Sequence, residues 1–164
     1  MLVVMAEPAS ETADALADPH GSDSTPQLVV ERFLDLLCQA EVQRATDLLA
    51  VDVEYENVGL PTVHSRERVR RLFEVMARPA GAGFEAHLHA ISADGSTVLT
   101  ERTDVLKLGR LHIQIWVCGR FDVHDGQIAL WRDYFDHINF LAATVRGLLG
   151  VVLPAVRATP PAAG

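Results

Sequence analysis

From Phe84 to Phe135 the hydrophobic pattern takes a period of two, punctuated at Asp94-Gly95-Ser96, Gly109-Arg110 and His124-Asp125-Gly126. Side chains of a strand leave on alternate faces, so this pattern predicts four strands: Phe84 to Ala93, Thr97 to Leu108, Leu111 to Val123 and Gln127 to Phe135. Each break is short and rich in residues that accept hairpin geometry, which forces neighbouring strands into an antiparallel meander. A long sheet with one apolar face needs a cover. Helical spacing supplies it on either side of the meander.

Ser24 or Thr25 followed by Pro26 is a helix start, and Leu28, Val29, Phe33, Leu36 and Leu37 then recur at helical intervals. A short helix is expected near Val42 to Ala50, with Ala45, Leu48 and Leu49 inward. Val51 to Val58 reads as a strand that puts Val53, Tyr55 and Asn57 on one face before Gly59 and Pro61 break it. Ser65 is placed to cap a helix to about Arg78 with Val69, Leu72, Phe73 and Met76 as its buried stripe. A last, strongly apolar helix runs from about Ile138 to Val152. The order is α+β, with a curved sheet wrapped round helices. Residues 25–154 form the expected single domain, and 49% hydrophobic content is enough to give it a core. Residues 1–24 and 155–164, rich in Ala, Pro and polar groups, are expected to be tails.

A net charge of −8 disfavours nucleic acid as a partner, because phosphate binding needs a clustered basic surface. The one dense basic run, Arg66, Arg68, Arg70 and Arg71, is expected to be a solvated helix face. Cys38 and Cys118 lie far apart in apolar surroundings and are expected to be buried thiols in a reducing, cytoplasmic setting. Met1-Leu2-Val3-Val4-Met5 is too short an apolar run for a signal peptide, and no stretch approaches a membrane span.

Chemistry enters through two segments, Glu101-Arg102-Thr103-Asp104 and Trp131-Arg132-Asp133-Tyr134-Phe135-Asp136. Alternation sends Arg102, Asp104 and Leu106 to one face, and Trp131, Asp133 and Phe135 to one face. Two carboxylates and one guanidinium can then meet among apolar groups, where an unpaired charge is costly. Such a pair can divide its labour, one carboxylate acting as base on a water held by a phenol and an amide, the other kept protonated to serve a leaving oxygen. An ordinary cross-strand salt-bridge network on a wet sheet surface fits the same spacing. Val98, Leu106, Trp131 and Phe135 on the same faces favour a lined cavity.

Tyr55-Glu56-Asn57, Glu101-Arg102-Thr103-Asp104-Val105-Leu106 and Trp131-Arg132-Asp133-Tyr134-Phe135-Asp136 together resemble the limonene-1,2-epoxide hydrolase family, especially its mycobacterial-type members, from about Pro26 to Pro154. The resemblance implies a mixed or antiparallel curved sheet and helices forming a cone-shaped pocket, the NTF2-like or SnoaL-like fold, usually as a homodimer. It implies hydrolysis of a small hydrophobic epoxide by water to a vicinal diol, with Asp133 as general base, Asp104 as general acid, Arg102 bridging them, and Tyr55 and Asn57 positioning the water. No cofactor or metal is implied, and neither stable membrane insertion nor nucleic acid.

For the pocket lining, the expectation is Leu37, Leu72, Met76, Leu106, Ile115, Trp116, Phe135 and Phe140. Strict alternation sends Trp116 to the face opposite Ile115, so both line one cavity only if a bulge intervenes. His87 and His89 share a face at a metal-compatible spacing but lack a third ligand. No G-x-S-x-G elbow or glycine-rich phosphate loop occurs. Two other readings stay open on the same fold: an isomerase or aldol-type cyclase using one Asp base, and a non-catalytic binder of a hydrophobic ligand.

Overall fold

A computed structural model describes residues 25–152; the two tails expected from composition lie outside the described residues. The elements in chain order are α1 (Pro26–Cys38), α2 (Val42–Asp47), β1 (Leu49–Asn57), β2 (Val63–His64), α3 (Arg66–Ala77), β3 (Ala82–Asp94), β4 (Thr97–Leu108), β5 (Leu111–His124), β6 (Gln127–Tyr134) and α4 (His137–Val152). They form one six-stranded sheet in the order β2-β1-β6-β5-β4-β3.

β3 to β6 form the expected antiparallel meander. At the β5–β6 turn Asp125 and Gly126 both take positive φ, 49° and 73°, the backbone twist that a two-residue hairpin requires. β1 lies beside β6 in parallel, so the sheet is mixed. The two-residue β2 was not legible in the sequence. It pairs with β1 at Tyr55 and Val63, and needs no alternation of its own.

Helix α1 begins as its sequence requires: the Thr25 hydroxyl accepts from the Leu28 amide, and Pro26 fills the first turn, where no amide donor is needed. Its buried stripe is Val29, Val30, Phe33, Leu34, Leu36 and Leu37, whereas Leu28, expected inward, is exposed. Phe33 drops onto the concave face of the sheet, with its ring 5.0 Å from Trp131 and 6.3 Å from Phe121. Val98, Phe121, Trp131 and Tyr55 stand side by side on four strands by register and form the centre of the core.

Helix α2 ends at Asp47, earlier than expected, because Leu49 is drawn into β1 opposite Ile128. Ser65 precedes α3, but its side chain makes no capping bond; its backbone carbonyl accepts from Arg68 and Val69 instead. Of the α3 stripe, only Val69 is buried; Leu72 and Met76 are partly exposed and face a cleft. The basic run is also not a uniformly solvated face. Arg66 donates to the Leu49 carbonyl at 2.7 Å, and Arg70 donates to Thr46 and Asp47, which ties α3 to β1 and α2. The thiols depart from expectation as well, Cys38 being exposed and Cys118 half-buried.

Candidate active site

The register places Asn57, Asp133, Gly119 and Thr100 in one row across β1, β6, β5 and β4. Gly119 carries no side chain, and the Arg102 guanidinium uses that gap to reach across β5. A Cβ built at Gly119 would collide with Arg102 Nη1, and would stand 2.6 Å from Thr100 Oγ1 and 3.0 Å from Asp133 Oδ1. Arg102 is fully buried. Its Nε donates to Asp104 Oδ1 at 2.9 Å, its Nη2 to Asp133 Oδ2 at 2.6 Å and its Nη1 to Thr100 Oγ1 at 3.1 Å. Both carboxylates are buried too, at 5% and 4% exposure. A wet surface network is excluded at that depth.

Burial pushes the Asp104 carboxyl up to about 6; the neighbouring Asp133 charge adds to this and Arg102 opposes it. Burial likewise raises Asp133, against the charge and hydrogen bond of Arg102 and the nearby Trp131 indole. Arg102 itself loses hydration by burial, but Asp133 and Asp104 outweigh that and hold it protonated. One fixed cation between two carboxyls that each resist ionisation favours a cluster carrying one shared proton.

Beside Asp133, Asn57 Nδ2 donates to Tyr55 Oη at 2.7 Å. Burial raises the Tyr55 hydroxyl well above its ordinary range, with the Asp133 charge adding to it, so the phenol remains a neutral donor. Asp133 Oδ1 and Trp131 Nε1 are buried without a hydrogen bond of normal geometry. A carboxylate oxygen without a full hydrogen bond keeps acceptor capacity.

An apolar cleft of about 220 Å³ opens over these groups and is lined by Tyr55, Asn57, Asp104 and Asp133 together with Leu72, Met76, Leu106, Ile115, Phe135 and Phe140. Two expected lining residues lie elsewhere. Trp116 follows strict alternation to the convex face, opposite Thr103, where it is 56% exposed and its indole donates to Glu101. Leu37 packs in the core and lines an adjoining apolar cavity of about 350 Å³, which shares Phe73, Met76, Phe84 and Leu106 with the cleft. The histidine pair is split by a register shift between Leu88 and Ala90: His89 Nε2 is 2.8 Å from Thr103 Oγ1, while His87 faces Glu85.

Sequence reasoning passed over Thr100 and Gly119. Both left a signal: Thr100 is two residues before Arg102 and so shares its face, and a glycine inside a long apolar strand marks a close approach. Phe73, read as core, Trp131, and Leu60, Phe84 and Val117 complete the lining.

Residues 24–146 match the family model for the limonene-1,2-epoxide hydrolase catalytic domain. The chain is 44% identical over 130 residues to epoxide hydrolase EphG of Mycobacterium tuberculosis, covering 79% of this chain and 86% of that protein. It superposes with a TM-score of 0.77 on a solved M. tuberculosis epoxide hydrolase of the same type, 42% identical, covering 82% of this chain and 94% of the other. An NTF2-like protein of Cytophaga hutchinsonii, 19% identical, superposes with a TM-score of 0.60 over 70% of this chain and 93% of its own, which places the fold in the NTF2-like group.

Proposed function

Since the chain belongs to the limonene-1,2-epoxide hydrolase family, we propose that it is an epoxide hydrolase that adds water to a small hydrophobic epoxide in one step, giving a vicinal diol. The observation that carries this reading is a single buried guanidinium divided between two buried carboxyls, beside a phenol–amide pair and under an apolar cleft.

Asp133, the carboxylate in register with Asn57, takes a proton from water as the water oxygen bonds to one oxirane carbon. Asp104, from the other end of the guanidinium, gives its proton to the oxirane oxygen as the C–O bond breaks. One proton enters the pair and one leaves, so the balance closes with water alone and no cofactor is needed. The charge of the cluster is thereby unchanged, and Arg102, protonated throughout, holds both carboxyls during the step. Tyr55 and Asn57 fix the water, and relief of ring strain supplies driving force, so the protein contributes mainly position and proton transfer.

Diol formation in ¹⁸O-labelled water under single-turnover conditions tests this, with limonene oxide, a styrene-type oxide and a sterol epoxide as substrates. Label in the first-turnover diol is expected. Label confined to later turnovers means a covalent ester and refutes the one-step path.

The exposed apolar residues of α4, among them Ile138, Leu141 and Leu148, support a homodimer in which a second copy covers them. Sedimentation as a monomer at micromolar concentration would remove that part. Two free cysteines among the described residues agree with work in the cytoplasm. Among the described residues no helix is long and apolar enough to cross a membrane.

A further inference from the structure

Arginine grips a single carboxylate most strongly through two parallel bonds from its Nε–Nη2 edge. Arg102 does not do this. Its Nε goes to Asp104 and its Nη2 to Asp133, so one edge is shared by two anions, each of which has a second oxygen that this edge does not hold. The remaining nitrogen, Nη1, points the other way and meets Thr100 Oγ1 at 3.1 Å. Thr100 is 5% exposed and sits directly across β5 from Asp133, over the bare backbone of Gly119. Phe121, whose ring centroid is 6.0 Å from the guanidinium carbon, bounds the guanidinium without a directional bond.

We propose that Thr100 is a positioning residue whose hydroxyl, by holding Nη1, keeps the opposite edge of Arg102 divided between Asp104 and Asp133 instead of closed on one of them. The division matters because a guanidinium committed to one carboxylate stabilises that anion alone and releases the other, and a shared proton then has a fixed owner. Thr100 touches neither water nor epoxide; it acts through Arg102. The inference rests on the push-and-pull roles given above to the two carboxylates.

The test is Thr100→Val, which keeps the shape and removes the acceptor, alongside Thr100→Ser, which keeps the hydroxyl. Two readouts are taken: steady-state turnover of an epoxide against pH, and substrate-free carboxyl titration by NMR on ¹³C-labelled aspartate. Tyr55, Cys38 and His87 also bear on the carboxyls electrostatically and are unchanged in both variants.

Thr100→Val is expected to lower kcat about ten- to hundredfold with KM within about twofold, the effect of losing one charge-assisted hydrogen bond in the transition state. It should also move the titration of at least one of the two carboxyls by about half a unit or more. Thr100→Ser should restore both. A folded Thr100→Val with wild-type kcat and titration, or a Thr100→Ser as impaired as it, overturns the assignment. If Thr100→Val does not fold, Thr100→Cys carries the same test with a weak acceptor in nearly the same volume. Asp104→Asn and Asp133→Asn are the controls: turnover surviving in them refutes the catalytic reading, while the titration arm still decides whether Thr100 governs the sharing of Arg102.

Discussion

Asp104→Asn should separate the stability of this protein from its activity, in a way that depends on pH. The Asp104 carboxyl titrates near 3.8 in an ordinary environment and is pushed up to about 6 in the fold, chiefly by burial. Between those values the folded chain binds more protons at this site than the unfolded chain does. The contribution of Asp104 to stability is therefore fully present below about pH 4 and is lost as pH rises through 6. Over that window a displacement of this size corresponds to about 3 kcal/mol at 1.36 kcal/mol per unit. Asparagine keeps an oxygen for Arg102 Nε but cannot ionise, so the variant lacks this decline. Urea denaturation of both proteins at pH 4.5 and pH 8 gives a difference from which the carboxylates away from Arg102 cancel, leaving Asp104 and its coupling to Asp133. Relative to wild type, Asp104→Asn should gain about 1–3 kcal/mol on going from the lower to the higher pH, while epoxide turnover is abolished at both. A difference that stays flat with pH, or that moves in the other direction, would refute the claim that burial keeps this carboxyl protonated.

Asp133→Asn should likewise fold and turn over no epoxide, and retained single-turnover diol formation would remove it as the base. Gly119→Ala should be disruptive out of proportion to one methyl, because the added carbon collides with Arg102 Nη1 and crowds Thr100 and Asp133. A loss of about 2 kcal/mol, seen as a melting temperature lower by about 5–10 °C, together with loss of turnover is expected from such overpacking. Met76→Trp fills space shared by the cleft and the adjoining cavity, so KM should rise more for a sterol epoxide than for limonene oxide. Trp116→Ala should leave kcat/KM for limonene oxide within about twofold, since the indole lies on the convex face; a loss beyond tenfold would place it in the site.

The sequence made the meander legible because a period near two recurs from Phe84 to Phe135 despite the shifts at Leu88/Ala90 and Asp122/Val123, and its turns fall where the chemistry of Gly95, Gly109 and Gly126 allows. Arg102, Asp104 and Asp133 were legible for a related reason: charge on an alternation face that is otherwise apolar stands out. What stayed hidden depends on partners distant in sequence. That β1 would join β6 in parallel is written in neither strand. The fate of Leu37, equally apolar whether it faces a cleft or the cavity beside it, is set by where α1 lands on the sheet. Trp116 shows the converse, for alternation already sent it outward and a large aromatic side chain invited the opposite reading. Thr100 was overlooked because a threonine in a strand is ordinary. Only the position of Nη1 gives its hydroxyl a task.

The parallel pairing of β1 with β6 also bears on how the protein comes to be active. The meander closes by local hairpins, which form quickly and at small entropic cost. β1 must instead return across most of the domain: Glu56 and Arg132, an ion pair on adjacent strands, are 76 residues apart. A chain that has built β4, β5 and β6 already owns Arg102, Asp104 and Asp133, but without β1 it has neither Tyr55 nor Asn57 to hold a water. On the proposed roles, arrival of this long-range strand is what would complete the site: a chain folded only through β4, β5 and β6 would hold the two carboxyls and Arg102 without the pair proposed to position the water.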